Sequence, residues 1–146
     1  MNAMMPIKKG MLWAAVWTVA TLLSGCAGMG ADSGTKVALS GDQEVPPVST
    51  SASGSGTITI GADKSVSGSV TTTGVAAAAA HIHVGAAGKN GPVIIPLTKT
   101  SDNVWSVSAG ARLTDAQYES YKAGDLYVNV HSAAHKGGEI RGQLKP

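Results

Sequence analysis

Two stretches near the end of the chain decide its fold: Asp125-Leu-Tyr-Val-Asn-Val-His131 and Glu139-Ile-Arg-Gly-Gln-Leu144. In an extended chain successive side chains point to opposite faces. Leu126, Val128 and Val130 therefore share one face, and Tyr127, Asn129 and His131 share the other. Ile140 and Leu144 likewise oppose Glu139, Arg141 and Gln143. Two neighbouring strands with matching apolar and polar faces form an antiparallel pair over one core.

The same pattern extends towards the N-terminus. Lys36–Ser40 reads as extended, and Thr57-Ile-Thr-Ile60 alternates polar and apolar residues. Gly61-Ala-Asp-Lys64 is a turn leading to a partner strand over Ser65–Thr73, a hairpin signal. Ala76–Ala80 has helix propensity but lies among strand-like segments, so it reads as extended or irregular. His81-Ile-His-Val84 alternates again, Gly85–Gly91 is a Gly-rich loop, and Val93–Leu97 and Val104–Val107 are two further strands. The paired prolines of Glu44-Val-Pro-Pro-Val48 exclude a central ladder there and read as a rigid turn. One helix is expected, over 115–122. Thr114 and Gln117 have capping-box spacing, Leu113 and Tyr118 occupy the staple positions, Asp115 is in the first turn and Gly124 stops it. The expectation is an all-β sandwich or barrel with one short helix.

The first 25 residues are of another kind. Lys8 and Lys9 precede an apolar run from Met11 to Leu23, about 13 residues long, whereas a membrane-spanning helix needs roughly 20. A basic start, a short apolar stretch and small residues before a cut site describe a secretory signal. The three expected regions are a signal over 1–25, a Gly- and Ala-rich tether over 26–35, and a domain over 36–146. Two of the 11 basic residues lie in the signal, which leaves 9 against 9 acidic. A domain with balanced charge and no Lys/Arg block is no electrostatic nucleic-acid binder. A single Cys excludes an internal disulfide framework and a Cys-rich zinc site. Gly85-Ala-Ala-Gly-Lys-Asn-Gly91 lacks the Gly-Lys-Ser/Thr of a phosphate loop, and no Gly-x-Ser-x-Gly elbow occurs.

All four His, at 81, 83, 131 and 135, lie in the domain. On a strand, His81 and His83 point to the same side about 6.6 Å apart, a spacing that suits two imidazoles on one ion. His131 is on the polar face of its strand, and His135 follows in the next loop. Neutral imidazoles without thiolate suit copper(II), nickel or zinc. No Met lies beyond residue 29, which argues against a thioether copper(I) site in the domain. Glu139 and Arg141 are candidates to orient the rings. The plainer reading of Arg141 is a partner for a carboxylate, Glu139 or Glu44, and that of Tyr127 and Asn129 is surface or support.

Three resemblances bear on these residues. Leu23-Ser-Gly-Cys26 resembles the lipobox of bacterial lipoproteins, which implies cleavage before Cys26 and acylation of that residue. Ala27, where an Asp resembles an inner-membrane retention signal, implies the periplasmic side of the outer membrane. Glu44-Val-Pro-Pro47, Ala80-His-Ile-His83, Gly85, Gly88, Asn90-Gly-Pro92, Leu113-Thr114, Ala123-Gly124, Leu126-Tyr-Val-Asn-Val-His131 and Gly138-Glu-Ile-Arg-Gly-Gln-Leu144 together resemble the CHRD domain, named from chordin. That resemblance covers about residues 36–145 and leaves biochemical function open. The His-x-His strand, the later Val-x-Val-His strand and the terminal Arg-Gly strand are also similar to copper-zinc superoxide dismutase, a Greek-key barrel. The similarity implies His81, His83 and His131 as copper ligands and Arg141 as the active-site arginine. This chain has no His between His83 and His131 and no disulfide, so the zinc ligands of that family are missing.

The resulting expectation is an envelope-anchored metal-binding protein that buffers or transfers an ion through His81, His83, His131 and His135. Copper is the first candidate and zinc the alternative. The membrane is reached only through lipidated Cys26, no nucleic acid is bound and no particular protein partner is indicated. The sequence leans away from an enzyme; dismutase-like activity is a sub-case that needs an open coordination position and redox cycling. The competing expectation is a non-catalytic structural or protein-interaction module of the envelope, without metal.

Overall fold

The computed structural model describes residues 34–146; the signal over 1–25, Cys26 and all but the end of the tether lie outside the described residues. Eight strands form: β1 (Thr35–Ser40), β2 (Ser53–Ile60), β3 (Val66–Thr73), β4 (Ala77–Val84), β5 (Val93–Ser101), β6 (Val104–Val107), β7 (Leu126–Ser132) and β8 (Ile140–Leu144). A 3-10 turn (Gly41–Gln43) follows β1, and one helix, α1 (Asp115–Lys122), precedes β7. All strand pairs are antiparallel, in the order β1-β2-β3-β6-β5-β4-β7-β8, and β8 closes on β1 through Ser40 and Arg141. In β6-β5-β4-β7 three hairpin-linked strands are followed by a fourth beside the first, a Greek key. The all-β barrel with one short helix is the expected architecture.

The hairpin of β7 and β8 has the register Leu126↔Leu144, Val128↔Gly142 and Val130↔Ile140. Its apolar face meets Val37, Leu39, Ile58, Val70, Ile82 and Trp105 inside the barrel, and Ile58, Ile82, Val128, Val130, Ile140 and Leu144 are fully enclosed. Burying such a side chain is worth about 1.5–3 kcal/mol. The helix starts as expected: Thr114 Oγ1 accepts from the Gln117 N–H at 3.2 Å, and Gln117 Oε1 accepts from the Thr114 N–H at 2.9 Å.

Several boundaries differ from the sequence reading, and β2 begins at Ser53 rather than Thr57. Thr35 is already in β1, opposite Ile58, so the tether ends one residue earlier. Ala77–Ala80 and His81–Val84 form one strand, because the alanines pair with β7 from Ser132 to Val130. Tertiary pairing overrides the helix propensity of alanine here. β5 continues past Leu97 to Ser101, paired with β6.

A larger difference concerns the outward face of β4, β7 and β8. Tyr127 and Asn129 are not surface residues: they are 1% and 2% exposed, and Arg141 is 1% exposed. The loops over 41–50 and 85–92 cover them. Asn90 Nδ2 donates to the Val45 carbonyl at 2.8 Å and joins the two covers.

Candidate metal centre

The barrel wall places the histidines. His81 and His83 project from the outward face of β4, two residues apart, and His131 projects from β7, opposite Ala79. The β4 ladder is irregular on both sides of them, between Ala77 and Ala79 against β7 and between Ile82 and His83 against β5. Such bulges re-aim side chains. The ring centroids of His81 and His131 are 4.9 Å apart, those of His81 and His83 5.6 Å, and those of His83 and His131 6.0 Å. Each ring offers one nitrogen to a group whose members all lie within 4.8 Å of one another. His135 is not in that group. It sits in the β7–β8 turn, where its N–H donates to Ser132 Oγ at 3.2 Å and its carbonyl accepts from the Gly138 N–H at 3.1 Å.

Hydrogen bonds fix the tautomers, since a carbonyl oxygen only accepts and the ring nitrogen facing it must carry the proton. His83 Nδ1 donates to the Gly91 carbonyl at 2.9 Å, and His131 Nδ1 donates to the Lys136 carbonyl at 3.0 Å. Both rings then carry bare Nε2 atoms. His131 Nε2 accepts from His81 Nδ1 at 3.0 Å. His83 Nε2 is buried and has no hydrogen-bond partner among the described residues. Nitrogens on one ion at ~2.0–2.1 Å stand roughly 3–4 Å apart, so His81 Nδ1 and His131 Nε2 have ligand spacing once the His81 proton moves to Nε2. Imidazoles held by backbone carbonyls on the far nitrogen are the usual arrangement around metals.

Burial and mutual repulsion disfavour the charged forms of His81 and His83. Burial lowers the pKa of His81, and the neighbouring His131 and His83 lower it further. Burial also lowers that of His83; the Gly91 carbonyl opposes this, while His131 and Arg141 add to it.

Neither Glu139 nor Arg141 touches the three rings directly. Glu139 accepts from Thr50 Oγ1 at 2.9 Å, and hydrogen bonding from Ser132 leads in holding its carboxyl below the ordinary value. Arg141 does not pair with a carboxylate, as no Asp or Glu oxygen lies within 4 Å of it among the described residues. It donates instead to the Ala86 carbonyl at 3.0 Å, Gln143 Oε1 at 3.2 Å and Asn90 Oδ1 at 3.4 Å. Its guanidinium stacks 3.5 Å from the centroid of the Tyr127 ring.

The sequence reading named two groups without expecting their burial. Tyr127 stacks on His83 at 4.8 Å and 10°, and its hydroxyl accepts from the Gly91 N–H at 3.0 Å. Glu44 is 4% exposed, and Oε1 has no hydrogen-bond partner among the described residues. Burial pushes its pKa up from 4.5 to about 7, although Arg141 pulls it down. Glu44 Oε1 and the Asn129 amide crowd Gly138, where a Cβ would fall 2.4–2.6 Å from them. Proline neighbours marked the Glu44 segment as a turn but carried no signal of carboxylate burial.

No curated protein and no solved structure matches the chain. The family model of the CHRD domain matches residues 35–144, from the first residue of β1 to the last of β8, and the chain belongs to the CHRD domain family.

Proposed function

We propose that this CHRD domain is an envelope-anchored metal-binding protein that holds a divalent late transition ion, copper(II) first and zinc second, on His81, His83 and His131. The observation that carries this reading is the buried Nε2 of His83, without a partner and grouped with His81 and His131. An unsatisfied buried acceptor costs about 1–3 kcal/mol, and a bound ion removes that cost. The donor set fits: three imidazoles and no thiolate suit copper(II) or zinc. Arg141 supports binding and transfer over dismutation, because its side chain is enclosed and its donors are directed at the 85–92 loop and Gln143 rather than at solvent. The anchor belongs to the same proposal. Cys26 in its lipobox-like setting carries the lipid and places the domain on the periplasmic side of the outer membrane.

Calorimetric titration of the purified protein with copper(II) and with zinc tests the reading. One ion per chain is expected, with affinity at least about 100-fold weaker in His83→Ala or His81→Ala, a loss of about 2.7 kcal/mol or more. His135→Ala leaves affinity unchanged. Millimolar or substoichiometric binding that is indifferent to His81 and His83 refutes the metal reading. A metal-free envelope module is then the better account, with the His81–His131 hydrogen bond structural. Incorporation of labelled fatty acid, abolished by Cys26→Ala, tests the anchor separately.

A further inference from the structure

β7 lies between β4 and β8, so Tyr127 has His83 on one neighbouring strand and Arg141 on the other. Both pack on its ring, His83 at 4.8 Å between centroids and the guanidinium at 3.5 Å. Arg141 also reaches His83 by a second route. Its donors hold the Ala86 carbonyl and Asn90 Oδ1 of the 85–92 loop, and the Tyr127 hydroxyl holds Gly91 of the same loop. The Gly91 carbonyl is the acceptor that keeps the proton of His83 on Nδ1. The loop has little freedom at this point, since a Cβ on Gly91 would lie 1.7 Å from the Val84 carbonyl.

We propose that Arg141 is a positioning residue for the metal centre: through Tyr127 and the 85–92 loop it fixes the ring of His83 with Nε2 bare and facing His81 and His131. The role in affinity rests on the metal reading above; the role in setting the tautomer does not. Arginine suits the task where lysine does not. Its planar fork stacks on an aromatic ring and spreads several donors over one loop, whereas an ammonium is a point charge on a flexible stem. Full enclosure of Arg141, with no carboxylate within 4 Å among the described residues, fits a group whose work is aimed at backbone and ring.

The test uses Arg141→Met, Arg141→Lys and Tyr127→Phe, with nitrogen NMR of the His side chains in metal-free protein and copper(II) titration. In the wild type His83 is expected as a single Nδ1–H tautomer. Arg141→Met and Arg141→Lys give a mixture at His83 while His131, tied to Lys136, keeps its tautomer; copper(II) affinity falls about 10–100-fold. Tyr127→Phe removes only the hydroxyl and gives the same shift at His83 in smaller measure, so the inference stays testable if the Arg141 variants do not fold. An unchanged His83 tautomer in the folded variants overturns the proposal. So does full restoration by lysine, which would make charge alone sufficient. If the wild type binds no copper, the metal reading fails, and the His83 tautomer still decides whether Arg141 positions it.

Discussion

Replacing Glu44 by Gln is expected to stabilise the protein at alkaline pH and to leave it nearly unchanged in mild acid. Glu44 is enclosed, one carboxyl oxygen has no donor, and burial raises its pKa from 4.5 to about 7. A carboxyl that holds its proton more tightly when folded adds stability at low pH. The contribution is full below 4.5, declines as pH rises, and is gone above about 7. At about 1.4 kcal/mol per tenfold change in proton affinity, the interval from 4.5 to about 7 is worth about 3 kcal/mol. His81 and His83 act in the opposite sense over part of the same range. Their lowered pKa values give stability that is full above the ordinary His value and is lost as pH falls from there through the lowered values. Comparing the variant with the wild type at each pH cancels that contribution. Gln is a neutral isostere of the protonated acid and adds N–H donors beside the unpartnered Asn129 Oδ1. Urea denaturation at pH 4.5, 6 and 8 should give a difference near zero, then intermediate, then about 3 kcal/mol in favour of Gln. A difference that does not change with pH, or a variant less stable than wild type at pH 8, refutes the reasoning.

Other substitutions probe the fold and the site. Gly91→Ala forces a Cβ against the Val84 carbonyl and should cost at least about 2 kcal/mol in urea denaturation, with loss of the His83–Gly91 hydrogen bond by NMR. Thr114→Ala removes the cap of α1 and should cost about 1 kcal/mol by the same measurement, with metal affinity unchanged. Ile140→Ala opens a cavity behind the β7–β8 hairpin and should cost about 2–5 kcal/mol. Copper(II) at 100 times its dissociation constant should raise wild-type stability by about 2.7 kcal/mol, and thermal denaturation should show this shift lost in His83→Ala.

Period-two alternation was enough to recognise β7 and β8, because each strand turns only its apolar face into the barrel. The start of α1 was equally legible, since a capping box is local chemistry between Thr114 and Gln117. Ala77–Ala80 read only as extended or irregular, because alanine's helix preference competes there and the β7 partners that settle it lie 50–55 residues away in sequence. Proximity in sequence also misled at the site. His135 is four residues from His131, but the β7–β8 turn holds it elsewhere, while His81, 50 residues away, is the hydrogen-bond partner of His131. Arg141 was assigned a carboxylate because opposite charges are the default expectation; the actual acceptors are a backbone carbonyl and two side-chain amides, which no charge pattern marks.

The sharpest gap between sequence and structure lies in what alternation means. Alternation on β7 and β8 says which residues share a face, and a polar face reads as solvent-exposed. Here the face is covered by two loops, one Pro-rich and one Gly-rich, joined through Asn90 and Val45. Cover changes the chemistry of every polar group beneath it. Desolvation raises the pKa of Glu44, lowers those of His81 and His83, and leaves His83 Nε2 and Asn129 Oδ1 without partners. The same residues on an open strand would be hydrated and close to their ordinary values. The lid thus separates a candidate metal centre from a merely polar strand surface. It also gives residues that touch no imidazole, Asn90 among them, a part in closing the cover. Loosening the cover at Asn90 should therefore return both His83 and Glu44 towards their ordinary pKa values, a joint movement that two independent polar residues would not share.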